Sequence, residues 1–278
     1  MTSMERSSEA PRRRKRLSAA TTAFGIYACI FMVFLFMPIL VVVYASFSSV
    51  NYIAFPIQGF SLRWYRHVFD YAPFMQSLKV SIQIALGSAL LSILLGVPAA
   101  LWAARSQTKA ANWVSVFLLS PLSVPAIVLG FSLLYLLSAI GLGVSFVSLL
   151  ITHTVVSIPY LARTVLAVYR AVPPDTEEAA SVLGASRWNT FLYVTLPAIN
   201  PGIFAGAMFA VLISLDNLPL SFFFGSSDTN TLPVVMLSYM QNQFDPSIAA
   251  ISTIQMLIAL FSLLVVNALY GIDKLTAA

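Results

Sequence analysis

Residues 175–197 read DTEEAASVLGASRWNTFLYVTLP. This polar, acid-bearing island interrupts a chain that is otherwise mostly apolar. The 278 residues are 59% hydrophobic and 9% charged. A soluble domain carries roughly 25% charged residues, so too few charges remain to cover a water-facing surface, and the solvent for most of the chain is lipid. At roughly 20 residues per span, the length accommodates about six helices plus loops. The expected class is an all-α polytopic membrane protein with six transmembrane helices.

Outward from the island, apolar runs predict spans over 202–224 and 248–270 on one side, and over 145–168, 113–137, 74–104 and 23–47 on the other. Pro38, Pro121, Pro125 and Pro159 fall inside these runs, and proline is tolerated in membrane helices. Residues 48–72 read as a first long loop whose stretch 60–69, FSLRWYRHVF, suits a membrane interface. Residues 225–247 read as a polar outer loop. The run 24–47 exceeds the roughly 7–15 apolar residues of a signal peptide and is read as a retained span. Residues 1–18 are basic and Ser-rich, a composition that predicts a disordered tail. Residues 19–278 then form a single transmembrane domain, with no internal repeat and no linker. The single cysteine, Cys29, lies in an apolar run and has no partner for an internal disulfide.

Net charge is +5, but it is not a nucleic-acid footprint. With the N-terminus inside, the inner segments hold Arg6, Arg12, Arg13, Arg14, Lys15, Arg16, Arg105, Lys109, Arg163, Arg170, Arg187 and Lys274. The outer side keeps Arg63, Arg66 and Lys79. The bias follows the positive-inside rule and predicts that both termini and the segment 169–201 are cytoplasmic.

Within that segment Pro173 and Pro174 end the emerging helix. Asp175 with Glu178 three residues on reads as a capping box, and acids suit a helix N-terminus. Helix formers run over 176–183. Gly184 supplies a residue free to take positive φ, and Ser186 can cap a second short helix, 187–194, ending at Leu196-Pro197. Ala179 and Ala180 keep one side thin enough for another backbone to approach. An interfacial connector would account for two short helices, but the first lacks the basic polar face of a lipid-binding helix.

Glu178-Ala179-Ala180, three residues, Gly184, nine residues, then Val194-x-Leu196-Pro197 resembles the EAA motif of permease subunits of bacterial ABC importers. Val194 stands where the family pattern usually has Ile. The resemblance covers the chain from about the second span to the sixth and implies the type I ABC importer permease fold in the bacterial inner membrane. It implies that Glu177, Glu178, Ala179, Ala180, Gly184, Ala185, Leu196 and Pro197 form a coupling element docking on a separate ATP-hydrolysing subunit. The sequence holds no G-x-x-x-x-G-K-[ST] phosphate loop, so no cofactor is expected in this chain, ATP and Mg being bound by the partner ATPase. A second permease subunit and an extracytoplasmic substrate-binding protein are further implied partners.

Asp216 is the one acid well inside an expected span. A buried carboxylate there costs at least ~2.5–3.5 kcal/mol on insertion scales, so it faces a cavity or a partner. Ser214, Asn217 and Ser221 follow steps of three and four and predict a polar stripe beside it, with Pro219 opening backbone carbonyls. The stripe reads either as a substrate pathway or as a structural pin between helices. SLDNLPLSFFF around Asp216, with TLPVVMLSYM at 231–240 and FDPSIAAISTI at 244–254, is most similar to the second permease of the spermidine/putrescine importer group. Importers for opines, aminophosphonates or ferric ion share similar stretches. His153 reads as a relay or as a hydrogen-bonded packing residue, and Met236, Tyr239 and Met240 as packing or an outer vestibule. No catalytic set and no metal cluster is evident, so an enzyme is not expected. An ATP-independent secondary transporter would spread charged sites over several spans, often in inverted repeats.

Overall fold

A break at two prolines sets the first departure from a simple six-span reading. The computed structural model describes residues 19–106 and 108–270. In order, its helices are α1 (Ala19–Ala45), α2 (Arg63–Asp70), α3 (Ala72–Arg105), α4 (Lys109–Leu119), α5 (Ala126–Ala139), α6 (Phe146–Ala171), α7 (Pro174–Val182), α8 (Arg187–Thr190), α9 (Leu196–Leu215), α10 (Leu218–Ser221), α11 (Leu232–Asn242) and α12 (Ser247–Tyr270). Among the described residues, five helical runs are long and apolar enough to cross a membrane: α1, α3, α6, the continuous run Arg187–Leu215, and α12. The expected third span is bent by 110° between α4 and α5, and it makes a sixth crossing only if the two are counted together. Pro121 starts a 3-10 turn, Ser120–Ser123, and Val124 before Pro125 is extended (φ −103, ψ 130). The residue preceding a proline is pushed out of the helical region. The basic tail expected over 1–18 and the closing Asp273 and Lys274 lie outside the described residues.

The centre is built from α3, α6 and α9. On α9, Gly202, Gly206, Ala210 and Ser214 recur every four residues and are all buried. A Cβ on Gly206 would lie 2.9 Å from Leu161 Cα, and one on Gly202 would lie 2.9 Å from Val168 Cγ2. Small residues therefore let α9 and α6 approach backbone to backbone, as membrane helices do where no hydrophobic force drives them together. The same contacts run in opposite chain directions, so the pair is antiparallel. α6 lies parallel to α3, where Gly87 meets Leu150 and Gly96 meets Leu161. By contrast α1 packs chiefly on α12 and presents its apolar surface outward.

Both expected loops contain helices. α2 buries Trp64 and Val68 against Phe74, Leu232, Tyr239, Ala250 and Ile251, so Trp64 is a core residue rather than an interfacial anchor. Tyr65 Oη is 2.7 Å from Ser46 Oγ. α11 occupies much of the outer loop. Tyr239 donates to Asp245 Oδ2 at 2.8 Å, and Asp245 Oδ1 accepts from Ser247 N at 2.9 Å, tying α11 to the first turn of α12. Met236 packs beside this cluster, while Met240 is exposed.

Candidate functional site

The polar island folds into α7, a tight turn, and the start of the run Arg187–Leu215. α7 begins two residues earlier than the capping-box reading, with Pro173 at the cap, Pro174 in the first turn and no side-chain cap bond. Proline at the first helical position lacks a donor that would be orphaned anyway, and its φ is preset. The turn is a Schellman arrangement: Ala185 N donates to Ala180 O at 3.1 Å and Gly184 N to Ser181 O at 3.0 Å. Gly184 takes φ +85 there, the left-handed region that glycine enters without steric cost. Ser186 caps α8 through Asn189 N at 3.2 Å.

The second short helix does not end at Leu196-Pro197. A wide π turn, Phe191–Thr195, joins α8 to α9, with Leu196 N bonded to Phe191 O. Pro197 cannot donate to the carbonyl four residues back, and the widened turn absorbs that loss without stopping the helix. The fifth span therefore starts at Arg187 rather than at Gly202.

The two glutamates of α7 face opposite ways. Glu178 is exposed, as are Ala179, Val182 and Leu183, while Ala180 and Ala185 are half-buried. Glu177 turns back into the bundle. Its Oε1 accepts from Tyr169 Oη at 2.8 Å and from Thr195 Oγ1 at 2.6 Å. Its Oε2 lies 3.4 Å from Arg105 Nε, an ion-pair contact rather than an aligned hydrogen bond. The Arg105 guanidinium rests 4.3 Å above the Tyr169 ring and donates to Val172 O at 3.0 Å. Sequence reasoning passed over Arg105, Tyr169 and Thr195. The only signal was charge: Arg105 and the α7 acids both sit at the ends of apolar runs on the same predicted side. Val182, Leu183, Trp188 and Tyr193 are exposed apolar side chains of the same segment as Glu178, visible in the sequence as bulky residues inside a polar stretch.

Asp216 closes α9 rather than lying inside a helix. Its N–H reaches Leu212 O, and Asn217 Oδ1 accepts from Leu220 N to begin α10. The cause is Pro219, which cannot donate to Leu215 O. That freed carbonyl accepts from Gln255 Nε2 of α12 at 3.3 Å. The expected polar stripe is split by this break. Ser214 and Ser221 are buried against His153, whose Nδ1 and Nε2 lie 2.8 and 3.0 Å from their respective Oγ atoms. Asn217 is half-buried in its capping role. Asp216 alone is exposed and lines two cavities. One, about 440 Å³, includes Tyr160 and Asn217. The other, about 470 Å³, includes Met236, Ser252 and Gln255. No Lys or Arg lines either cavity.

Residues 92–272 match the family model described as "Binding-protein-dependent transport system inner membrane component". The chain is 30% identical over 237 residues to the spermidine/putrescine transport system permease protein PotC of Haemophilus influenzae, covering 85% of this chain and 90% of that one. It is 31% identical over 241 residues to the molybdenum transport system permease protein ModB of Mycobacterium bovis, covering 80% and 90%. In fold it is similar to a bacterial ABC transporter involved in the import of the acidic polysaccharide alginate (TM-score 0.68, 16% identity, 91% of this chain and 98% of that one). With its apolar helices, broken spans and a matched region extending from mid-α3 to the end of α12, the chain belongs to the family of inner membrane components of binding-protein-dependent transport systems.

Proposed function

We propose that this chain forms one half of the passage through an ATP-driven importer and that its cargo is a small organic cation of the polyamine type. Asp216 carries the cargo assignment. It is an exposed carboxylate at a helix break, lining two cavities, and among the described residues no salt bridge neutralises it. Tyr160, Asn217, Ser252 and Gln255 offer hydrogen-bonding groups, and Met236, Met256 and the leucines offer apolar surface. That pairing suits an alkyl chain bearing ammonium groups. A molybdenum oxyanion, the alternative drawn from the similarity to ModB, would meet a carboxylate and no basic side chain in either cavity.

The coupling role falls on the exposed side of α7 and the Gly184 turn. Glu178 and Ala179 stand there beside Val182 and Leu183, and the positive-inside count favours the cytoplasmic side for this end of the bundle. A separate ATP-hydrolysing subunit would dock there, a second permease subunit would complete the passage, and a binding protein would deliver cargo at the opposite end.

The test is uptake of labelled putrescine into proteoliposomes holding the assembled complex, with and without ATP. ATP-dependent uptake is expected. Asp216→Asn lowers it about tenfold or more, the effect of about 1.4 kcal/mol lost from cation binding, while ATP hydrolysis persists. Uptake of molybdate but not putrescine overturns the cargo assignment, and uptake indifferent to ATP overturns the importer reading.

A further inference from the structure

α7 has no buried residue, and at nine residues it is too short to be stable on its own. Apolar packing therefore contributes little to holding it to the bundle. Besides its backbone connections, its side-chain tether is the carboxylate of Glu177. That one group reaches three other elements: Arg105 at the end of α3, Tyr169 near the end of α6, and Thr195 in the wide turn that opens α9. Arg105 extends the tether by holding Val172 O, the carbonyl just ahead of Pro173. The three helices reached are the same three that form the centre of the bundle. Thr195 is itself buried and closes the wide π turn Phe191–Thr195, a departure from regular helix that occurs often at functional sites.

We infer that Glu177 is the positioning residue that makes α7 move as one body with the ends of α3, α6 and α9, so that displacement of α7 is passed to the helices flanking the passage. The inference rests on the coupling role proposed above for the outer side of α7. It divides the two neighbouring glutamates: Glu178 faces a partner, and Glu177 transmits to the bundle. A group acting this way controls how much transport accompanies each ATP hydrolysed, and it need not affect assembly or hydrolysis.

The experiment uses the assembled complex in proteoliposomes, with putrescine uptake and ATP hydrolysis measured on the same preparation. Glu177→Gln removes the charge that pairs with Arg105 at nearly constant shape. Thr195→Val removes one donor and leaves both charges. Each is expected to leave subunit stoichiometry and ATP hydrolysis within about twofold, while uptake per ATP falls about tenfold for Glu177→Gln and less for Thr195→Val, because the first removes the charge that Arg105, Tyr169 and Thr195 all meet and the second removes one of those three partners. The double variant is expected to fall no further than Glu177→Gln alone, since both act through one group. Spin labels at Thr176→Cys on α7 and Trp102→Cys on α3, in a Cys29→Ser background, give a readout independent of cargo. Their distance distribution is expected to be narrow with Glu177 present and broadened by Glu177→Gln. An unchanged distribution, or uptake and hydrolysis falling in equal proportion, overturns the inference. Absence of ATP-driven uptake in the unmodified complex instead overturns the coupling reading beneath it, while the label distances still report on the tether.

Discussion

Nδ1 of His153 lies 2.8 Å from Oγ of Ser214, joining α6 to the last turn of α9 across 61 residues of sequence. The proton positions follow from the neighbours. Ser221 Oγ donates to Asn217 O at 2.9 Å, so toward His153 it accepts, and Nε2 carries the ring proton. In the neutral ring with that tautomer Nδ1 is the acceptor, and Ser214 donates to it. Both ring nitrogens are partnered, and the ring bridges the two sides of the break at Asp216.

Replacing His153 with Leu should leave the buried Ser214 hydroxyl without its partner, at about 1–3 kcal/mol, while Ser221 keeps its bond to Asn217 O. The melting midpoint of the detergent-purified complex should drop. The triple change His153→Leu, Ser214→Ala, Ser221→Ala should recover much of the loss, because removing all partners of a buried polar set is far less costly than removing one. No recovery would mean that the hydrogen bonds are not what the histidine contributes.

Gly206 should tolerate no larger residue. Its Cβ would meet Leu161 Cα at 2.9 Å and Leu161 O at 3.2 Å, both backbone atoms. Gly206→Ala should cost about 1–3 kcal/mol by forcing α6 and α9 apart, and Gly206→Leu should abolish assembly. Gly25, with nothing within 4 Å of a built Cβ, is the control: Gly25→Ala should leave the melting midpoint unchanged.

At Gly184 the constraint is torsional. A built Cβ there meets nothing within 4 Å, but φ is +85. A left-handed conformation costs an ordinary L-residue roughly 1–2 kcal/mol, and asparagine visits it more readily. Gly184→Asn should therefore retain most ATP-driven uptake, whereas Gly184→Val should lose it. Equal activity of the two would show that the turn geometry is dispensable.

Tyr239 supplies a pH test. Burial, opposed in part by the nearby Ser247 and reinforced by the Asp245 carboxylate, pushes its hydroxyl from an ordinary value of 10.0 up to about 12. A value raised in the folded state means that its stabilising contribution is complete below pH ~10 and is lost as pH climbs toward the folded value. Melting midpoints should fall between pH 10 and about 12 in the unmodified chain, and Tyr239→Phe should flatten that part of the profile. An unaltered slope in the variant would assign the alkaline loss to other groups.

Much of the architecture was legible in the residues because it depends on neighbours in sequence. Apolar runs of span length mark α1, α3, α6, α9 and α12, for lipid selects helices whose backbone bonds close within the segment. Gly184 and Ser186 mark the turn and the second cap through local backbone chemistry. Prolines were the harder signal. Pro159 sits within an unbroken α6 and Pro197 is absorbed by a wide turn, yet Pro125 and Pro219 accompany real breaks. At the break by Pro219 the freed carbonyl of Leu215 is taken up by Gln255 of another helix, a partner that no local pattern announces.

By itself, then, the sequence determined that this is a helical membrane protein with an acidic, glycine-hinged element between two spans and a lone acid downstream. Tertiary structure alone decided that Glu177 faces inward while Glu178 faces out, that Ser214 and Ser221 serve His153, and that Asp216 is left to line the cavities. Each outcome rests on hydrogen bonds between residues 8 to 68 positions apart. Such partners are chosen by how helices pack, and a single helix carries no record of which of its faces will meet another.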